Sequence, residues 1–110
     1  MIKKEITSQQ DLETLLKADE ANLYILDFYA DWCGPCRILG NTFEQIIDGV
    51  DDGTVVIKVN VDSHPELAMT YNVRSIPTLV FVKNGFITNR TIGAISSGEI
   101  RNFIKKSKGE

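Results

Sequence analysis

The sequence is poor in cysteine and histidine and has no long hydrophobic run near its start. Its 110 residues include two cysteines and one histidine, whereas a structural zinc site requires four ligands. A zinc site would therefore need a second molecule. Charged residues interrupt the first thirty positions, so neither a signal peptide nor a membrane-spanning helix is expected there. We expect a cytoplasmic protein that binds no metal.

Basic clusters and flexible breaks are also scarce. The net charge is −3, and the Lys and Arg residues are scattered except for the pairs Lys3-Lys4 and Lys105-Lys106. This distribution does not favour nucleic acid or a membrane as a partner. No Pro-rich or Gly/Ser-rich segment divides the chain, of which 43% is hydrophobic. We therefore expect one domain with a single core over residues 1–110.

The hydrophobic pattern predicts strands that alternate with helices. The predicted strands lie at residues 2–6, 23–30, 54–61, 77–83 and 86–92. The predicted helices begin after Ser8, at the Cys33–Cys36 segment, at Pro65 and after Ser96. The second helix is expected to extend through Val50, because its apolar residues keep helical spacing to that point.

Two local motifs predict how the later elements connect. Asn84-Gly85 predicts a type I′ hairpin, so the last two strands should be antiparallel. Ser96 and Glu99 match a capping box at the start of the final helix. The earlier strands alternate with helices, which favours parallel pairing with right-handed crossovers. The sequence thus predicts an α/β fold with helices on both faces of one mixed sheet.

The two cysteines follow the predicted strand at 23–30 and open the long helix, where open α/β sheets usually place their chemistry. A disulfide across so short a loop would stabilise the fold by only about 2 kcal/mol. Structural disulfides are also rare in a reducing compartment. The pair Cys33 and Cys36 is therefore predicted to be redox-active rather than a structural bridge or two inert thiols.

The helical pattern gives the two cysteines different predicted roles. Cys36 shares a helix face with Leu39 and should point toward the core, whereas Cys33 precedes that face and should reach solvent. A helix N-terminus favours a thiolate, so Cys33 is the predicted nucleophile and Cys36 the resolving thiol. Gly34 permits a tight turn, and Pro35 suits the first helical turn.

Four other residues have both a structural and a functional interpretation. Asp27 is either solvated or, as the apolar strand around it favours, a buried carboxylate that accepts the proton of Cys36. Trp32 suits either core packing or partner contact. Pro77 is expected to be trans from frequency alone, because only about 5% of X-Pro bonds are cis. His64 precedes Pro65 and is expected to cap or flank a short helix without a catalytic role.

Four segments in order resemble the thioredoxin family, in its bacterial type, over nearly the whole chain. They are residues 27–37, which contain Trp-Cys-Gly-Pro-Cys, and residues 58–62, 73–78 and 83–85. A Cys-x-x-Cys motif alone is a weak signal, but four such matches are specific. The resemblance implies a thioredoxin fold with a central five-stranded mixed sheet of order 1-3-2-4-5, flanked by four helices.

The resemblance also implies an activity and its partners. The chain would reduce protein disulfides and be recycled by a separate, NADPH-dependent thioredoxin reductase, with no cofactor of its own, and we expect it to be a monomer. Lys58 lies in an apolar strand, from which its side chain could simply extend to solvent, but the resemblance implies that it pairs with Asp27 as a further catalytic residue. Pro77 would be cis and face the disulfide. The implied substrate-binding residues are Trp32, Gly34, Pro35, Ile76, Pro77, Gly93 and Ala94, with the Ile76 backbone pairing with an extended substrate.

Three residues depart from the family pattern. Tyr29 stands where a tryptophan is common, Asn41 where a helix-kinking proline is common, and Arg37 where lysine is frequent. These departures bear on the path of the long helix and on the docking surface.

The alternative function is a binding module on the same fold. Loss of one cysteine would indicate that function, but both cysteines are present. Pro35, where isomerases and oxidants more often have histidine, favours a reductant.

Overall fold

The computed structural model describes residues 1–110 and confirms the predicted alternation of strands and helices. The strands are β1 (Ile2–Glu5), β2 (Leu23–Tyr29), β3 (Thr54–Asn60), β4 (Thr78–Lys83) and β5 (Phe86–Ile92). The helices are α1 (Gln9–Ala18), α2 (Gly34–Ile46), α3 (Pro65–Thr70) and α4 (Ser97–Ser107). The extent of the domain, 1–110, stays a prediction.

The five strands form one mixed sheet in the order β1-β3-β2-β4-β5, as the resemblance implies. Strand β3 pairs in parallel with both β1 and β2, whereas β4 is antiparallel to β2 and β5 is antiparallel to β4. Helices α2 and α4 contribute to the hydrophobic cluster on one face, and α1 and α3 to the cluster on the other. The predicted α/β architecture is thus confirmed, with β2 at the centre of the sheet.

Strand β2 is buried on both faces because alternate side chains enter different clusters. Leu23 and Ile25 pack with α2 and α4, while Leu26 and Phe28 pack with α1 and α3. All four side chains are fully buried. Asp27 has the same parity as Ile25, so it lies on the α2 face of the sheet. The strand therefore carries a carboxylate into the core directly before the cysteine segment.

Short-range signals give the predicted caps and hairpin. The Ser8 hydroxyl accepts a hydrogen bond from the Asp11 amide at 3.0 Å. Ser96 and Glu99 form the reciprocal capping box at the start of α4. Asn84 and Gly85 have φ angles of +53° and +80°, the left-handed pair that a type I′ turn requires. All three sequence predictions are confirmed.

Helix α2 ends earlier than its apolar spacing predicts. The α-helix stops at Ile46, a 3₁₀ turn follows at Ile47–Gly49, and Val50 has extended backbone angles. Ile47 and Val50 still pack against the core formed with α2 and α4. The apolar pattern therefore continues through a tighter turn, whose end coincides with a glycine of low helix propensity. Asn41 lies inside α2 and does not interrupt it.

Two glycine substitutions should change stability in opposite directions. Gly85→Ala is expected to lower the free energy of unfolding by about 1 kcal/mol, because a Cβ disfavours its left-handed conformation. Gly40→Ala is expected to raise it by up to about 1 kcal/mol, since Gly40 lies in the interior of α2 and a Cβ there meets no atom within 4 Å. Urea denaturation measures both. Equal stability of Gly85→Ala and the parent chain would contradict the turn geometry.

Candidate active site

Cys33 and Cys36 form a disulfide at the junction between β2 and α2, with their Cα atoms 5.2 Å apart. Cys33 is the N-cap residue of α2, and its sulfur accepts a hydrogen bond from the Cys36 amide at 3.2 Å. Pro35 lies in the first turn, where its missing N–H costs no helical hydrogen bond. After reduction, the same helix end would stabilise a thiolate on Cys33.

The exposure of the two cysteines differs from the sequence prediction. Cys33 is 4% exposed and Cys36 is 6% exposed, so the expectation that Cys33 reaches solvent is wrong for this disulfide form. Both residues cluster with Ala30, and the half-buried side chains of Val61 and Ile76 pack against them. Position at the helix N-terminus, rather than exposure, therefore distinguishes the two sulfurs.

Asp27 is buried beneath α2, as predicted, with 3% of its surface exposed. Its Oδ1 atom has no hydrogen-bond partner. Burial raises the pKa of this carboxyl from 3.8 to about 6, and the nearby charge of Lys58 only partly opposes that rise. A carboxyl that titrates close to neutral pH can both take up and release a proton during catalysis.

Lys58 does not form the direct ion pair with Asp27 that the resemblance implies. The two residues are opposite each other in the register of β2 and β3, but no nitrogen–oxygen contact within 4.0 Å joins them. The Lys58 ammonium instead lies 4.2 Å from the centre of the Tyr29 ring. A cation over an aromatic face is a favourable contact, which accounts for the position of the ammonium. The predicted pairing is therefore wrong in its geometry, although the two charges still interact.

Two neighbouring cavities lie beside Cys36 and Asp27. The larger, of about 370 Å³, is lined by Cys36, Tyr29, Arg37 and Asn41, among others. The smaller, of about 20 Å³, is lined by Asp27 and also by Gly40, Glu44 and Lys58. These last three residues line both spaces. Asp27 and Cys36 thus face adjoining spaces under the first turns of α2.

The predicted substrate-binding residues differ in their exposure. Trp32 is 70% exposed, and its indole N–H donates to Asp62 Oδ2 at 2.9 Å, so core packing is excluded for this side chain. Pro35 and Ala94 are exposed, whereas Gly34, Ile76 and Gly93 are half-buried and Pro77 is buried.

Three of these residues contact the disulfide cluster or one another. Ile76 packs against the cysteine cluster, and the peptide bond between Ile76 and Pro77 is cis, as the resemblance implies. The Gly93 amide donates to the Pro77 carbonyl at 2.8 Å. This bond holds the Gly93 segment against the segment that contains the cis proline.

Sequence reasoning missed the contact between Tyr29 and Lys58. Its signal was present, because Tyr29 shares the face of Asp27 on β2 and Lys58 stands opposite Asp27 on β3. Arg37 donates to the Asp31 carbonyl at 2.8 Å, a contact with no sequence signal. His64 occupies the N-cap position of α3 without a side-chain capping bond, so of the two predicted structural roles it flanks the helix and does not cap it through its side chain.

Neither a metal-binding cluster nor a membrane-spanning helix is found. No group of three or more His, Cys, Asp and Glu side chains is arranged to hold a metal ion. None of the helices combines the length and the apolar character needed to cross a bilayer.

Comparisons with known proteins agree with one another. The thioredoxin family model matches residues 3–106. The thioredoxin of Mycoplasmoides gallisepticum is 40% identical, over 93% of this chain and 99% of that protein. The thioredoxin of Chlorobaculum thiosulfatiphilum is 36% identical, over 96% of this chain and 95% of its own length. The crystal structure of Fasciola hepatica thioredoxin superposes with a TM-score of 0.88 at 33% identity, covering 96% of this chain and 99% of that one.

These matches agree with the site in both fold and chemistry. They span nearly the full length of the chain and of its relatives, and the five-stranded sheet places a disulfide at the start of α2. Exchange at such a disulfide is a two-electron reaction between sulfur atoms. The chain therefore belongs to the thioredoxin family and is a thiol-disulfide oxidoreductase.

Proposed function

We propose that this chain reduces protein disulfides by a two-cysteine exchange in which Cys33 attacks and Cys36 resolves. The observation that carries the assignment is the position of the Cys33 sulfur at the N-cap of α2, where the Cys36 amide donates to it. A thiolate at that position gains from the helix dipole and from this N–H group. Cys36 is the third residue of α2, and its side chain does not cap the helix.

The exchange has two steps. The Cys33 thiolate attacks one sulfur of the target disulfide, which forms a mixed disulfide and releases the other target sulfur as a thiolate. Cys36 then loses its proton and attacks Cys33, so the Cys33–Cys36 disulfide forms and the second target sulfur leaves. The target gains two electrons and, after protonation, two thiols, while the dithiol of this chain is oxidised.

Asp27 is the proposed acceptor of the Cys36 proton. The carboxyl has no hydrogen-bond partner at Oδ1, and its raised pKa brings it near the pH at which a general base works well. The adjoining cavities beside Asp27 and Cys36 leave room for a proton to pass between them through water. Lys58 lines both cavities, and its charge favours the ionised carboxylate.

Protein substrates are proposed to bind across the rim beside the disulfide. The Ile76 amide and carbonyl take part in no backbone hydrogen bond within the chain, so they are free to pair with an extended segment. The exposed Trp32 offers an amphipathic contact surface. The remaining rim residues are Gly34, Pro35, Pro77, Gly93 and Ala94.

The cellular setting of the reaction follows from the family. We propose recycling by a separate thioredoxin reductase that draws electrons from NADPH, with this chain acting as a cytoplasmic monomer without a bound cofactor. The relatives and solved structures come from both bacteria and animals. Assignment to the bacterial type therefore stays a prediction.

The activity itself can be measured by following NADPH oxidation with a thioredoxin reductase and a protein disulfide such as that of insulin. Addition of this chain is expected to accelerate the reaction in proportion to its concentration. The variant Cys33→Ser should give no acceleration. No stimulation by the parent chain, with several reductases, would overturn the proposed function.

The roles of the cysteines predict which variant traps a reaction intermediate. Cys36→Ser is expected to accumulate mixed disulfides with target proteins, since the first attack proceeds but the resolving attack is lost. Cys33→Ser is the matched control and should trap far less. Non-reducing gels, followed by peptide mapping of the adducts, provide the measurement. Adducts that form mainly through Cys36 would reverse the assignment.

Burial of Asp27 predicts a variant that gains stability and loses activity. Below about pH 4 both the folded and the unfolded states hold the proton, so the carboxyl imposes no ionisation penalty. Between pH 4 and the folded pKa of about 6 the penalty grows, since only the unfolded state ionises freely. At 1.36 kcal/mol per pKa unit, the rise from 3.8 to about 6 corresponds to roughly 3 kcal/mol above pH 6.

Asp27→Ala is therefore expected to be more stable than the parent chain by about 1–3 kcal/mol at pH 7.5, with a smaller gain at pH 4. Disulfide reduction should slow by roughly 10- to 100-fold. The exposed Asp48→Ala is the control and should show neither effect. Urea denaturation at both pH values and one rate assay decide the matter. Unchanged kinetics would remove the catalytic role, and a loss of stability at pH 7.5 would mean that the carboxylate is well solvated or paired.

A further inference from the structure

Tyr29 contacts the Lys58 ammonium and lies on the strand that carries the buried carboxylate of Asp27. It ends β2 on the face that carries Asp27, and the centre of its ring is 4.2 Å from the Lys58 ammonium. Burial raises the pKa of the Tyr29 hydroxyl, so the side chain is a neutral phenol at physiological pH. Its face is therefore available to a cation.

Lys58 is within reach of Asp27 but does not bind it. The two residues are register partners on paired strands, whose backbones lie about 4.8 Å apart. A lysine side chain spans that distance easily. Asp27 nevertheless has no ion pair, and Oδ1 has no hydrogen-bond partner. The contact with Tyr29 thus prevails over a direct contact with the carboxylate.

The other charged groups around Asp27 are already engaged. Lys3 and Glu44 line the same small cavity as Asp27 and Lys58, but Lys3 pairs with Glu44 at 2.5 Å. In the larger cavity, Arg37 donates to the carbonyl of Asp31. Glu5 acts on the Tyr29 hydroxyl only through its charge. Lys58 is therefore the one cation lining the Asp27 cavity that has no anionic partner.

We propose that Tyr29 is a positioning residue for the reaction: its ring holds the Lys58 ammonium between the two cavities and keeps Asp27 free of a direct ion pair. The tyrosine stands where the family commonly has tryptophan. Its aromatic face, rather than its hydroxyl, performs this role.

The position of Lys58 decides how strong a base Asp27 is. A direct ion pair would favour the ionised carboxylate and lower its pKa toward or below the ordinary range. The carboxylate would then accept the Cys36 proton less readily, because a weaker base takes up a proton less readily. With the ammonium held over the ring, burial remains the larger effect, and the pKa stays near 6. This inference rests on the proposed role of Asp27 as proton acceptor.

The test compares Tyr29→Leu, which removes the ring, with Tyr29→Phe, which removes only the hydroxyl. Each variant is made with Lys58 present and with Lys58→Met, and the Asp27 carboxyl is titrated by carbon NMR in the oxidised protein. With Lys58 present, Tyr29→Leu is expected to lower the titration midpoint from about 6 toward 3.8, while Tyr29→Phe leaves it in place. With Lys58→Met, Tyr29→Leu should cause no further shift, because the effect acts through the ammonium.

An unchanged or raised midpoint in Tyr29→Leu would overturn the inference. An equal downward shift in the Lys58→Met background would also overturn it, since the ring would then act by packing alone. Thermal unfolding checks that each variant folds. If Tyr29→Leu does not fold, Tyr29→Met replaces it as the variant without a ring.

Disulfide reduction at pH 7 separates this inference from the proposed function. Tyr29→Leu is expected to react about 3- to 10-fold more slowly than Tyr29→Phe, given the modest dependence of proton-transfer rates on base strength. A shifted midpoint with an unchanged rate would leave the Tyr29–Lys58 contact established and overturn the role of Asp27 as proton acceptor. An unshifted midpoint with a normal rate would overturn the positioning role alone.

Discussion

The burial of β2 on both faces is the constraint on which the rest of the structure depends. A central strand has paired neighbours on either side and helices above and below, so its residues have almost no access to water. Apolar side chains suit this burial on both faces of the strand, whereas the carboxylate of Asp27 does not. The next segment leaves the sheet at its carboxyl edge, where α2 begins and the cysteines are placed. One buried strand thus determines both the location of the disulfide and the environment of the proposed proton acceptor, Asp27.

The same burial links stability to chemistry at this site. A carboxylate without a hydrogen-bond partner at one oxygen is unfavourable in a core, yet that desolvation is what brings its pKa near neutrality. A direct ion pair with Lys58 would offset the cost of desolvation and remove the rise in the pKa of Asp27. In the proposed arrangement, the aromatic face of Tyr29 stabilises the Lys58 ammonium without neutralising the carboxylate. Proteins commonly retain such locally unfavourable groups where they serve a reaction.

Sequence reasoning succeeded where the determining interactions are local. Ser8, Asn84-Gly85 and the capping box of α4 act within a few residues, so their geometry could be predicted from the chain alone. The placement of the cysteines also followed from strand and helix periodicity. The exposure of Cys33 could not be predicted, because the residues that cover it, Val61 and Ile76, come from distant segments. Similarly, strand register alone does not decide whether the Lys58 ammonium contacts Asp27 or Tyr29 on β2.

The covered disulfide also bears on which molecules can exchange with it. Thiolate attack requires an approach in line with the sulfur–sulfur bond, and both sulfurs are packed beneath side chains, with 4% and 6% of Cys33 and Cys36 exposed. A small thiol gains little from entering such a crevice, since it forms few contacts to offset its lost hydration. An extended polypeptide can offset that loss by bonding to the free Ile76 backbone as its own sulfur arrives. Under the proposed binding mode, the burial of both cysteines therefore favours exchange with an extended protein segment over exchange with a small thiol.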